Sequence, residues 1–319
     1  SITRSGSVVY NINVPSAYTD STIASTKFEI GDIIEADKPL AIRTENGYTP
    51  PSIKMASTVL YHAWDRYAPI VYTFYSPYGE ASITASYGTT NNGLFATGQV
   101  YASCGLSSAI TMTMPTSVTS GYVKITSDTP IIGWAEGTGT AGDYTTLMPP
   151  STRLYNPDDS AMDEIIDVGG TVTNYNDDYY VGTKPFSAIT IGDGNGSDSF
   201  MAIPEELLGD TYIIPYRIAG YQVTTTEPNK IKVYTLATGI RTFVEEIDLS
   251  LATKTSPLSY RSGSTSDGNA PYISSNGLLL EGTAPFAVRT NDTDDDEMAI
   301  LGYRKSNRPT ILATTSISG

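Results

Sequence analysis

The chain has one cysteine, Cys104, and one histidine, His62. A single cysteine excludes an internal disulfide and any cysteine-based metal cluster, and in YASCG it reads as a small buried apolar residue rather than a reactive thiol. A single histidine excludes multi-histidine metal sites. A nucleophilic triad would have to recruit His62, with Asp65 of HAWDRY as the nearest carboxylate, and no Gly-x-Ser-x-Gly accompanies it. Beside Tyr61 and Trp64, His62 reads as a packed aromatic. No segment approaches the roughly 18 apolar residues of a membrane span, and SITRSGSVVYNINV lacks the continuous apolar stretch of a signal peptide. Basic residues are also scarce: 19 Lys and Arg stand against 34 Asp and Glu, a net charge of -15. Such a chain repels phosphate backbones and anionic membrane surfaces, so neither nucleic acid nor membrane is an expected partner.

Strand signals fill the chain instead. SVVYNINV, PIVYTFYS, ASITASY, SAITMTM, GYVKIT, NKIKVYTL and TFVEEIDL are short, rich in β-branched and aromatic residues, and bounded by Gly, Pro, Asn or Asp. In SAITMTM the period of two sends Ala109, Thr111 and Thr113 one way and Ile110, Met112 and Met114 the other. Helical signals are few. NPDDSAMDEIIDVGG predicts one helix, with Asn156 as cap, Pro157 at the first position and Gly169 and Gly170 as stop; PEELLGD at 204 to 210 predicts a further short turn. The expected fold is all-β: two tandem antiparallel β-sandwich domains of jelly-roll or immunoglobulin-like type, with one or two short helices.

One motif recurs. DKPLAIRTEN (37 to 46) has a near twin in TAPFAVRTND (283 to 292), where Pro39, Ala41, Arg43 and Thr44 return as Pro285, Ala287, Arg289 and Thr290. Two fainter copies begin at Asp128 (DTPIIGWAEG) and Thr183 (TKPFSAITIG). The pattern predicts two strands joined by a tight turn, with proline opening the second where its missing N–H costs nothing, and a polar loop following. The unequal spacing of the prolines at 39, 130, 185 and 285 excludes a regular solenoid. It suits duplicated sandwich modules, although proline-opened hairpins can recur by chance in a Thr-rich β-protein. The boundary is expected in MPPSTRLYNPDD, giving an N-terminal domain over 1 to 150 and a C-terminal domain, related by duplication, over 151 to 319. Leu40 and Ile42 should face a core, with Arg43 and Arg289 on the opposite face beside an acidic neighbour.

Chemistry-bearing clusters are sparse. Glu205/Glu206 and Glu245/Glu246 are adjacent pairs, and neighbours on a strand face opposite sides, so they read as solvated charges rather than acid and base. No organic cofactor is implied. Calcium is the one candidate ion: DGNGSDS offers Asp193, Asn195 and Asp198, and NDTDDDE offers Asp292, Asp294 and Asp296. Neither fits an EF-hand, and Asp, Asn and Gly also suit a plain hairpin loop. Tyrosine is abundant at 23 residues. Tyr72 and Phe74 alternate as core, while Tyr61, Trp64, Tyr67, Tyr75, Tyr78, Tyr179 and Tyr180 are candidates for an interface.

The SITRSG start, acidic balance, lack of disulfides and tandem Thr-, Gly- and Tyr-rich strands resemble structural proteins of tailed bacteriophage virions. The x-x-Pro-Φ-Ala-Φ-Arg-Thr phrases are also similar to β-rich repeats of some surface-binding proteins. The first resemblance implies a non-enzymatic tail, capsid or capsid-decorating component located in the virion, forming homo-oligomers and touching other virion structural proteins. A cell-surface or filament-forming adhesin that binds glycan or a host surface is the alternative. A carbohydrate-active enzyme using His62 and Asp65 is a third reading.

Overall fold

The computed structural model describes residues 1–4, 7–14, 32–38, 40–42, 51–64, 70–89, 95–105, 108–115, 117, 120–137, 144–157, 161–166, 169–191, 200–214, 218–237, 239–262, 277–292, 297–300 and 311–313. Among them the fold is all-β with antiparallel pairing, and helix is limited to two single 3₁₀ turns, Ile53–Met55 and Glu205–Leu207. The second is the turn expected in PEELLGD. The longer helix from Asn156 does not form. Its centre is a strand, Glu164–Ile166 (β12), whose fully buried Ile166 pairs with Ser187, so long-range pairing of a β-branched segment overrides the local helix signals. Asn156 is itself buried, and its Nδ2 donates to Asp177 O at 3.0 Å.

The strands fall into four sets in chain order. The first joins β1 (Ile2–Arg4), β2 (Ser7–Tyr10), β3 (Ile33–Glu35) and, from the other end of the chain, β24 (Ile311–Ala313) in the order β2-β1-β3-β24. The second holds β4 (Ser57–Trp64), β5 (Ile70–Tyr75), β6 (Ala81–Gly88), β7 (Gly98–Cys104), β8 (Ala109–Thr113), β9 (Gly121–Gly137) and β10 (Tyr144–Thr146). The third holds β11 (Ser151–Tyr155), β12, β13 (Val172–Tyr175), β14 (Tyr179–Thr190), β15 (Phe200–Met201) and β16 (Ile203–Pro204). The fourth holds β17 (Gly209–Ile214), β18 (Ile218–Thr225), β19 (Asn229–Ala237), β20 (Ile240–Leu249), β21 (Leu258–Ser262), β22 (Leu278–Asp292) and β23 (Glu297–Ile300). Pairing order in the second set, β7-β6-β9-β5-β8 with β4 and β10 on β9, is repeated strand for strand in the fourth: β20-β19-β22-β18-β21 with β17 and β23 on β22. No strand covers 147 to 150, between the second and third sets, or 205 to 208, between the third and fourth, where the second 3₁₀ turn lies.

The recurring proline sits in the middle of the longest strand of each of the last three sets. β9 pairs β4 and β6 through its first half, up to Ser127, with one further β4 pair, Ser57 opposite Ile131, across a bulge at the bend, and β5 and β10 through its second half, from Ile132. β14 and β22 divide in the same way about Pro185 and Pro285. The motif is therefore not a hairpin turn, as the sequence led one to expect, but a bend at which one strand leaves one sheet and enters another. Proline fits because the N–H it lacks would have no ladder partner at the bend.

Three further positions complete the bend. Two residues before the proline, a side-chain oxygen takes over a backbone carbonyl's role for the neighbouring strand: Ser82 N–H donates to Asp128 Oδ1 (2.8 Å), Thr171 N–H to Thr183 Oγ1 (2.9 Å) and Lys230 N–H to Thr283 Oγ1 (3.0 Å). One residue after it comes a large apolar group, Ile131, Phe186 or Phe286, each buried and each opposite the first residue of the set's opening strand, Ser57, Ser151 or Gly209. Three residues before it, the two phenylalanine copies have glycine. A Cβ on Gly182 would stand 2.6 Å from Phe186 Cδ1, and one on Gly282 would stand 2.7 Å from Phe286 Cε1. The ring folds back over the glycine, and Ser127 and Ala36 hold that position where isoleucine and leucine follow the proline.

The core follows. The second and third sets share one apolar cluster, including Leu60, Tyr72, Phe74, Ile125, Tyr180 and Phe186, while the fourth has its own around Val223, Ile231, Leu280 and Phe286. Met112 and Met114 are buried and Thr111 and Thr113 exposed, as the period of two required. Leu40 and Ile42 pack on Ile2 and Ile34, while Pro39, Arg43 and Thr44 lie outside the described residues. In β22 the arginine of the repeat does lie opposite the Phe286 and Val288 face, yet it is buried: Arg289 places its guanidinium over the Phe200 ring at 5.2 Å and donates to Gln222 Oε1 at 3.1 Å.

Gly282→Ala should cost about 1–3 kcal/mol in denaturant unfolding, the range for overpacking a tight site. In a Phe286→Leu background the same change should cost less than half as much. Equal costs in both backgrounds would disprove the account of the glycine.

Candidate interaction surfaces

Burial rearranges the expected interface. Tyr61, Trp64, Tyr75, Tyr179 and Tyr180 are all at most 4% exposed, so they do not present a contact surface. Tyr61 stacks on Phe95 at 5.9 Å within the apolar cluster shared by the second and third sets. Tyr75 packs on Ile132, Ile53 and Ala56. Tyr179 lies between Tyr155 (4.8 Å) and Tyr175 (6.1 Å), and Tyr180 Oη accepts from Met162 N–H at 3.2 Å. The physical cause is that Tyr61 and Trp64 of the second set and Tyr179 and Tyr180 of the third lie in one apolar cluster that the two sets share, while Tyr75 is enclosed in a smaller cluster on Ile132. Of the seven candidates Tyr78 is exposed, at 57%, and Tyr67 lies outside the described residues.

His62 is a core residue. Its Nδ1 lies 2.9 Å from Tyr72 Oη, the two rings meet edge-on, and burial pulls its pKa down to about 3, which keeps the imidazole neutral. Asp65 lies outside the described residues. Cys104 is buried, and burial pushes its thiol up, away from the nucleophilic thiolate. The carboxylate pairs are engaged separately. Glu205 meets Arg153 at 2.8 Å and Lys254 at 3.7 Å, and Glu206 accepts from Ser151 Oγ at 2.9 Å. Glu245 accepts from Tyr221 (3.0 Å) and Tyr260 (3.1 Å), whereas Glu246 faces Lys230 at 3.7 Å. Glu245 and Glu246 do point to opposite faces of their strand. Glu205 and Glu206 lie on a 3₁₀ turn instead.

The calcium candidates Asp193, Asn195, Asp198, Asp294 and Asp296 lie outside the described residues, as does the side chain of Asp292. Among the described residues no group of three or more His, Cys, Asp or Glu could hold a metal ion.

Sequence inspection missed the joint between the third and fourth sets. It is polar and largely buried. Tyr155 Oη and Thr226 Oγ1 are 2.6 Å apart, Thr224 Oγ1 reaches Asn156 O at 3.4 Å and Ser259 Oγ at 2.7 Å, and Ser259 in turn donates to Asp178 Oδ1. Asp178 follows the tight turn at Asn176 and Asp177, both with positive φ. Burial, with Asp177 beside it as a lesser cause, raises Asp178 to about 6. The Asn-Asp pair in NYNDDYY is a local turn signal, whereas the contact of Asp178 with Ser259, 81 residues away, has no local signature.

Exposed large apolar side chains concentrate on edge strands. Val8, Val9 and Tyr10 lie on β2, at one edge of the first sheet, and Ile240, Phe243 and Val244 on β20, at one edge of the fourth set. Tyr101, on the edge strand β7, is 69% exposed. Sheet edges with exposed apolar side chains are where another chain can add. Compared with known proteins, the chain matches no family model and no curated protein.

Two titrations check these environments. Asp178 is raised above its unfolded value, so its stabilising effect is full below about 3.8 and is lost as pH rises through about 6. Asp178→Asn should therefore gain stability relative to the wild type at pH 7.5, with the difference shrinking by pH 5 in paired thermal melts. His62, depressed, should show no imidazole titration by NMR between pH 5 and 8; a midpoint above 6 would contradict its burial.

Proposed function

We propose that the chain is a non-enzymatic structural component of a virion, oligomerising and contacting other capsid or tail proteins through its strand edges. The observation that carries this reading is where the reactive and the apolar groups lie. The histidine, the cysteine and the buried tyrosines are committed to internal contacts, while apolar side chains stand uncovered on edge strands β2 and β20. Such a distribution suits a building block whose cores are closed and whose edges are met by neighbours. Tandem β-modules without disulfides, with few charges and an acidic balance, fit an outward-facing particle protein that does not line nucleic acid. The contact role passes from the tyrosines first considered to exposed apolar side chains of edge strands, Tyr101 of β7 among them.

The purified chain should form discrete oligomers in sedimentation velocity, or decorate a larger particle in electron micrographs. A protein that stays monomeric at every concentration and binds no particle component would overturn the proposal.

A further inference from the structure

Resting on the reading of the chain as a self-assembling block, we infer that β7 is the edge by which two copies join, pairing antiparallel with β7 of a second copy about a two-fold axis at Tyr101. β7 pairs with β6 on one side, and among the described residues no strand is hydrogen-bonded to its other side. Its ladder with β6 runs without a register shift from Ala81↔Cys104 to Tyr87↔Gly98. The edges at β2 and β20 are different. β2 carries a register shift against β1, and β20 carries one against β19; bulges of this kind twist an edge away from neighbours. β20 also bears Arg241, Glu245, Glu246 and Asp248, the charges with which proteins guard an edge. β7 has neither device.

Electrostatics select the same strand. Two copies at a net charge of -15 repel, yet residues 81 to 123, from β6 to the start of β9, contain no Asp, Glu, Lys or Arg. Along β7 itself a second copy therefore meets hydroxyls, amides and apolar groups, with the Asp128 carboxylate held on Ser82 N–H beside the Ser103 end. β8, at the edge of the opposing sheet, is equally neutral but exposes threonines rather than an aromatic.

The side chains suit a two-fold contact. An axis perpendicular to the sheet requires directly opposed residues to share a face, which a register centred on Tyr101 satisfies. It sets Tyr101 against its own symmetry mate, Gln99 against Ser103 of the second copy, and the half-buried Val100 against Ala102 of the second copy on the core side. An opposed aromatic pair adds to such a ladder. The outer row is already ordered: Tyr101 Oη donates to Gln99 Oε1 at 2.5 Å, and Gln99 Nε2 donates to Ser86 Oγ at 2.9 Å, so less freedom is lost on association.

The test uses the full chain in sedimentation equilibrium, with circular dichroism melts to confirm that each variant folds. Tyr101→Lys, which opposes two cations across the axis, should weaken self-association by about tenfold or more. Gln99→Asp with Ser103→Asp should do the same, whereas Gln99→Lys with Ser103→Asp, which sets opposite charges across the axis, should associate at least as well as the wild type. Folded variants that all associate like the wild type would overturn the β7 contact while leaving the assembly reading in place. Folded variants that all weaken alike, including the charge-complementary pair, would overturn the two-fold register. A wild type that remains monomeric removes the β7 contact, and the structural-component reading falls with it only if the chain also binds no particle component.

Discussion

A strand that must serve two sheets is the constraint on which the rest of the structure depends. A straight strand with both faces apolar can lie in only one sheet, so closing a sandwich with few strands requires a bend at which hydrogen-bond partners change. At that bend three problems arise together: an N–H loses its partner, the neighbouring strand loses an acceptor, and the inside of the corner needs filling. Proline removes the first, the oxygen of Asp128, Thr183 or Thr283 supplies the second, and Ile131, Phe186 or Phe286 fills the third. Glycine appears at 182 and 282 because a phenylalanine ring, unlike an isoleucine, comes down onto the backbone there. The motif thus holds its composition through geometry rather than through any chemistry it performs.

That geometry also explains what was legible in the sequence. The repeat, the strand periodicity and the all-β class follow from local pattern, and Met112, Met114, Tyr72 and Phe74 are where a period of two places them. The motif's role was misjudged because x-x-Pro between apolar runs has the same local signature whether the chain reverses or bends and continues; only the partners in two sheets distinguish them. The Asn156 segment shows the same limit, since its capping signals are real but the partner that captures Ile166 lies in β14. Tyr61, Tyr75, Tyr179 and Tyr180 were misplaced for a related reason. Their strands read as half-buried, and burial on the remaining face comes from segments distant in sequence.

Arg289 and Asp178 carry this further. Each is polar or charged on a strand or turn that alone would leave it in water, and each is covered by a different set of strands: Arg289 by Phe200 of the third set, Asp178 by Ser259 of the fourth. Joining modules through polar groups makes the joint specific, because a wrong partner would leave those groups buried without hydrogen bonds. It also makes the joint sensitive to proton concentration, which an all-apolar seam would not be.

The distribution of charge then separates the internal joints from the external ones. A chain at -15 repels copies of itself over most approaches. Attraction at short range can succeed only where the surface is neutral and the backbone is free to pair. In the proposed assembly such repulsion would not oppose association; it would remove the wrong contacts, so that a modest edge-to-edge attraction would suffice to select one geometry. If the chain assembles as proposed, the same acidity that argues against a nucleic-acid partner would supply specificity to its self-contacts.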